Sequence, residues 1–68
     1  MKSIREYAKE IGFEIVGKLT RRADLEYDTD YDGKRVHANV KIYLDEADNE
    51  YVIARDGMCI ITADGAVI

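Results

Sequence analysis

The sequence contains no proline and no tryptophan, and it has a single cysteine, Cys59, and a single histidine, His37. A lone cysteine cannot form an internal disulfide, which argues against a small secreted scaffold and favours a reducing cytoplasm. One histidine and one cysteine also fall short of the three or four protein ligands of a zinc site. We therefore expect no such metal site and no cofactor.

Long apolar runs are also absent. No stretch approaches the eighteen or so apolar residues of a membrane span, and the first residues lack the apolar core of a signal peptide. The five glycines are scattered along the chain, so none belongs to a phosphate-binding loop. These features predict one small cytoplasmic domain, residues 1–68, with no membrane association.

Charge is unevenly distributed along the chain. The net charge is −4, yet residues 1–22 carry an excess of bases, whereas residues 23–33 contain five acids and no base. An acidic total disfavours non-specific binding of nucleic acid, because that affinity comes largely from neutralised phosphates. It is compatible with binding to a basic protein surface.

Residues 23–44 give the strongest structural signal, a β-hairpin turning on Asp32-Gly33. Asp-Gly suits a type I′ turn, whose two central residues both need positive φ. With that turn, one register places apolar residues together and sets acids opposite bases. One face pairs Leu25 with Val40, Tyr27 with Ala38 and Thr29 with Val36. The other pairs Asp24 with Lys41, Glu26 with Asn39, Asp28 with His37 and Asp30 with Arg35.

The same segment contains a D-x-D-x-D-G pattern at Asp28, Asp30 and Asp32, which resembles the start of a calcium loop. Such a loop needs a bidentate Glu at its twelfth position, and here that position is Asn39. The hairpin is therefore the favoured interpretation, and the sequence leaves open whether the three aspartates bind a cation.

A capping box at Ser3 and Glu6 begins a predicted helix over residues 4–11, and Gly12 is placed to end it. Alternating apolar residues then predict a half-buried strand over residues 13–20, in which Gly17 marks a bulge or a close approach of the backbone. Residues 20–23 are predicted to form a turn that exposes Arg21 and Arg22.

A second hairpin is predicted for residues 51–55 and 58–63, turning on Asp56-Gly57 and pairing Tyr51 with Thr62 and Ile53 with Ile60. Both of its faces are apolar, so this C-terminal hairpin is a candidate homo-oligomer interface. A third turn at Asp64-Gly65 leaves residues 66–68 as a last strand or a tail. The predicted fold is α+β, with one short N-terminal helix packed on an antiparallel meander of four to five strands. A small curled, partly closed β-barrel is the alternative.

Two surfaces are candidate binding sites. The acidic row of Asp24, Glu26, Asp28 and Asp30 would bind a basic partner protein. The alternative is a nucleic-acid-associated regulatory role for the basic end of Lys18, Arg21 and Arg22, with Tyr27 and Tyr31 nearby on the predicted core face.

Catalysis has weaker support in the sequence. Pairing His37 with Asp28 predicts a cross-strand ion pair, since no nucleophile is placed beside it. Cys59 lies in an apolar run and is predicted to be buried and unreactive. The sequence therefore predicts a small protein–protein interaction module, with no enzyme activity and an unidentified partner.

Overall fold

The computed structural model describes residues 2–54 and 57–68. It contains one helix and four strands: α1 (Ile4–Ile11), β1 (Thr20–Tyr31), β2 (Lys34–Leu44), β3 (Glu50–Ala54) and β4 (Gly57–Ile61). The strands form one open antiparallel sheet in the order β1-β2-β3-β4. This confirms the predicted α+β meander, with four strands and no closure into a barrel. No helix in the described part of the chain is long and apolar enough to span a membrane.

Helix α1 begins and ends where the sequence predicts. The Ser3 side chain accepts a hydrogen bond from the Glu6 amide, and the Glu6 carboxylate accepts one from the Ser3 amide. Gly12 ends the helix with a φ of 76°, where a side chain would be strained. An eight-residue helix is unstable alone, so α1 depends on the sheet it covers.

The first hairpin has the predicted register at every position, from Tyr31 opposite Lys34 to Asp24 opposite Lys41. Asp32 and Gly33 have φ values of 52° and 74°, the positive values that a type I′ turn requires. Residues 28–31 are therefore extended strand, which excludes a calcium-loop backbone at the D-x-D-x-D-G pattern.

The secondary structure predicted for residues 13–23 is wrong, although Arg21 and Arg22 are exposed as predicted. Residues 13–19 form no strand, and β1 instead begins at Thr20. The predicted turn at residues 20–23 is strand, interrupted by a β-bulge between Arg21 and Ala23. The bulge allows β1 to pair with the whole length of β2, which a turn would have prevented.

The second hairpin is present, but its predicted register is wrong by two residues. Tyr51 pairs with Ile60 rather than Thr62, and Ala54 pairs with Gly57. The shift is an even number, so each side chain keeps its predicted face. Part of the predicted Asp56-Gly57 turn, Asp56 itself, lies outside the described residues. Beyond Gly65, the tail pairs with β4 through an Ile61–Val67 bridge and through backbone hydrogen bonds between Ile60 and Ile68.

The core lies between α1 and one face of the sheet. Its buried centre is formed by Ala8, Tyr51 and Ile60. Partly buried side chains from the helix, the 13–19 segment and β2 pack around them: Ile4, Tyr7, Phe13, Ile15, Leu19 and Tyr43. The 13–19 segment thus supplies core residues without being a strand, and apolar alternation cannot distinguish these two cases.

Candidate functional site

The β1–β2 hairpin extends well beyond the rest of the sheet. Strands β1 and β2 have 12 and 11 residues, whereas β3 and β4 have five each. Among the described residues, strand β3 pairs with Lys41–Leu44 of β2. Helix α1, at eight residues, spans about 12 Å, roughly a third of the hairpin's length. The part of the hairpin from Asp24 to Val40, which we call the projecting hairpin, is therefore a two-stranded ribbon beyond the core.

The sheet has two chemically different faces. Alternation along the strands places Tyr43, Tyr51 and Ile60 on the face that α1 covers, the helix face. Among the residues that the structure describes, no helix lies against the opposite face, which we call the open face. Its apolar side chains run across all four strands and the tail: Leu25, Tyr27, Tyr31, Val36, Ala38, Val40, Ile42, Leu44, Val52, Ala54, Cys59, Ile61 and Val67.

The open face corrects a prediction made from the sequence. Tyr27 and Tyr31 were expected on the core side, yet they are 48% and 47% exposed, and Leu25 is 51% exposed. The register assigned these residues to one face correctly. The error was to assume that the apolar face of the hairpin is the face that packs against the helix.

The exposure of Cys59 has the same cause. It is a free thiol of intermediate exposure rather than a buried one, because its strand directs it onto the open face. Beside it, between β3 and β4, lies a shallow cavity of about 230 Å³ lined by Val52, Ala54, Gly57, Met58 and Cys59. This end of the open face is concave and apolar.

The acidic row lies on the helix face of the projecting hairpin, and each of its carboxylates has a partner within the chain. Asp24 accepts a hydrogen bond from Asn39 at 3.0 Å, and Asp28 lies 3.1 Å from Nδ1 of His37.

The other two acids make longer contacts. Glu26 lies 3.7 Å from His37, and Asp30 lies 3.7 Å from Arg35. These pairs are solvent-exposed and individually weak, but they partly neutralise the row.

His37 is held between two acids. The hydrogen bond to Asp28 raises the pKa of His37 above its usual 6.5, and the nearby charge of Glu26 acts in the same direction. Both contacts are carboxylates on an exposed strand, so the arrangement favours a charged imidazole. This fits the cross-strand ion pair predicted from the sequence and gives no geometry for a nucleophile activated by His37.

The basic end is also engaged within the chain. Arg21 lies 5.6 Å from the centre of the Tyr43 ring, donates to its hydroxyl at 3.1 Å and faces Asp24 at 3.7 Å. The hydrogen bond to Tyr43 raises the pKa of Arg21. Arg22, on the bulge, forms an ion pair with Glu50. Lys18 donates its backbone amide to the Glu46 carboxylate at 2.7 Å.

Sequence reasoning found the acidic row, the basic end and the apolar C-terminal hairpin, but missed the exposed apolar face of the first hairpin. The strand lengths explain that exposure: hairpin strands of 12 and 11 residues cannot be covered by five-residue strands and an eight-residue helix. Within the described residues, no group of three or more His, Cys, Asp or Glu side chains is arranged to hold a metal ion. In comparisons with protein-family models, characterised proteins and solved structures, the chain has no match.

Proposed function

We propose that this chain is a small protein–protein interaction domain that binds through its open face. The observation that carries the proposal is the exposure of Leu25 and Tyr27 on a continuous apolar sheet surface. Large contiguous apolar patches are uncommon on monomeric proteins and mark binding surfaces. Tyrosine is also enriched at interfaces, since it supplies a large contact area at a small cost in side-chain entropy.

The location of this domain is part of the proposal. A single free cysteine, partly exposed at Cys59, suits a reducing cytoplasm. A catalytic role is not proposed, because neither His37 nor Cys59 stands in a constellation of reacting groups.

The two binding sites predicted from the sequence have less support than the open face. The acidic row of Asp24, Glu26, Asp28 and Asp30 remains a prediction for a basic partner, but its internal pairs would have to compete with that partner. Nucleic-acid binding by Lys18, Arg21 and Arg22 also remains a prediction. It has less support because both arginines already contact an acid.

Site-specific photocrosslinking tests the proposed surface. A benzoylphenylalanine placed at Tyr27 probes the open face, and one placed at the neighbouring Glu26 probes the opposite side of the same strand. In cells that express the chain, we expect a discrete adduct from position 27 and little or none from position 26. Equal labelling from both positions, or no adduct from position 27, would reject the open face as the binding surface.

A further inference from the structure

The chain exposes more surface than a compact protein of its mass. Its accessible surface is 4895 Å² for 7.7 kDa, whereas a folded monomer of this mass exposes about 4,300 Å². The radius of gyration is 12.9 Å, against about 11 Å for a compact chain of 68 residues. The projecting hairpin accounts for this shape, because neither α1 nor β3 covers it.

The chemistry of the open face narrows the choice of occupant. Among the described strand residues, its charged side chains are Lys34 at the hairpin tip and the ion pair of Glu50 with Arg22. Nucleic acids and highly charged peptides need opposing charges that this surface does not provide. A mainly apolar protein surface is the partner chemistry that this face complements.

The exposed part of the open face can also pack on a copy of itself. Leu25 and Tyr27 are about half exposed, whereas Ala38, opposite Tyr27, is only 4% exposed and is already covered within the chain. In a two-fold arrangement, the exposed apolar side chains of each copy can pack against those of the other.

We propose that the occupant of the open face is a second copy of this chain, in a two-fold dimer formed by packing sheet on sheet. The inference rests on the proposed function and names the partner for the same surface. Each copy exposes about 600 Å² more surface than a compact chain of its mass. If each copy buries that area, the dimer buries about 1,200 Å² in total, the lower limit of specific stable interfaces. The contact includes the C-terminal strands, which the sequence suggested, but is centred on the projecting hairpin.

Pairing through the exposed edge of β1 is the competing geometry. That edge carries a bulge at Arg22 and a row of acids, features that natural proteins use to prevent edge-to-edge association. In the test below, an edge dimer would survive a charge placed on the open face.

Sedimentation equilibrium tests the dimer on three purified proteins: the wild type, Leu25→Lys and Asn39→Lys. Both variants add one positive charge to the projecting hairpin, Leu25→Lys on the open face and Asn39→Lys on the helix face beside Asp24. At about 100 µM we expect twice the chain mass for the wild type and for Asn39→Lys. For Leu25→Lys we expect one chain mass, with a dissociation constant at least about 100-fold higher, because each dimer would have to bury two unpaired lysine charges.

Circular dichroism checks that Leu25→Lys is folded. If it is not, Tyr27→Lys replaces it, and a dilution series of amide spectra of the wild type locates the contact independently. Concentration-dependent shifts in the strands and the tail, with none in α1, support the dimer. A wild-type mass of one chain, a dimer that survives the lysine, or a particle that grows without limit overturns it.

The failure of this inference can be distinguished from the failure of the proposed function. A monomeric wild type whose position-27 probe labels a heavier protein overturns the second copy and leaves the open face as a binding surface. A monomeric wild type whose position-27 probe labels nothing overturns both. An adduct of twice the chain mass from purified protein supports both.

Discussion

At the scale of single residues, Asp45 connects more of the chain than any other side chain described above. It is 5% exposed, and its carboxylate accepts hydrogen bonds from the backbone amides of Val16, Ala47 and Asn49. It also accepts from the Asn49 side chain and, at 2.6 Å, from the Tyr51 hydroxyl. This one carboxylate therefore joins the 13–19 segment, the β2–β3 connection and the centre of the core.

The ionisation of Asp45 follows from these contacts. Burial opposes the charged form, but the hydrogen bonds from Tyr51, Asn49 and Val16 outweigh it and hold the pKa of Asp45 well below its usual 3.8. Burial raises the pKa of Tyr51, and its hydrogen bond to Asp45 raises it further, so the hydroxyl stays protonated as the donor. A carboxylate with a lowered pKa stabilises the folded state above the unfolded-state pKa, and this stabilisation is lost as the pH falls toward the folded-state value.

We predict that Asp45→Asn lowers the free energy of unfolding at pH 7 by about 2–4 kcal/mol, because several buried donors lose a charged acceptor. Urea denaturation between pH 7 and pH 2 measures the effect. The gap between wild type and variant should be constant above about pH 5 and shrink below it. Tyr51→Phe, which removes one donor and leaves the carboxylate, is the matched variant and should cost about 1–2 kcal/mol. A gap that does not depend on pH would contradict the assigned role of the charge.

At the scale of elements, the segment between α1 and β1 has no regular secondary structure but is held in place by hydrogen bonds. The Glu46 amide donates to the Val16 carbonyl at 2.8 Å, and the Glu46 carboxylate accepts from the Lys18 amide. Gly17 lies between them with a φ of 70°, and a Cβ on it would lie 2.0 Å from the Glu46 carboxylate. The close approach predicted at Gly17 is therefore present, although in a loop rather than a strand.

We predict that Gly17→Ala destabilises the fold more than Gly12→Ala. Both glycines have positive φ, so both substitutions bear about 1–2 kcal/mol of left-handed strain, but a Cβ at Gly12 meets no atom within 4 Å. Gly17→Ala should cost about 1–2 kcal/mol more, because Glu46 must give up its hydrogen bond to Lys18. Thermal denaturation compares the two variants. In a Glu46→Ala background the extra cost of Gly17→Ala should disappear, and an undiminished difference would mean that the contact with Glu46 is not its cause.

The elements also show what the sequence can and cannot predict. Helix α1 follows from the capping residues Ser3 and Glu6, so its bounds were predictable. The register of the first hairpin follows from the Asp32-Gly33 turn, but the start of β1 at Thr20 was not predicted. The 13–19 segment was not, because Phe13, Ile15 and Leu19 alternate as in a strand while packing as a loop on Tyr51. The exposure of Tyr27 was not predictable for a different reason. The sequence pattern of an apolar strand face is the same whether that face packs within its own chain or against another one.

At the scale of the whole molecule, the core lies at one end of an elongated body that measures 38 × 22 × 21 Å. Residues 41–44 of β2 are paired on both sides, and the neighbouring core residues lie under α1. In the described part of the chain, the projecting hairpin has two strands and no helix over it, and a two-stranded ribbon in water is marginally stable. Stability should therefore decrease along β2 from Leu44 toward the Asp32-Gly33 turn.

Hydrogen exchange followed by mass spectrometry measures this gradient. At sub-micromolar concentration, where the proposed dimer dissociates, we expect peptides from residues 26–40 to exchange about tenfold or more faster than peptides from residues 41–54, because opening the ribbon exposes little apolar core. Raising the concentration of the wild type should slow exchange in 26–40 selectively, since a partner on the open face supplies the missing layer. The Asn39→Lys variant should behave in the same way, and Leu25→Lys should keep the fast exchange at every concentration. Uniform exchange along both segments would show that the hairpin is stable without a partner. Its stability would then give no reason to expect a partner on the open face.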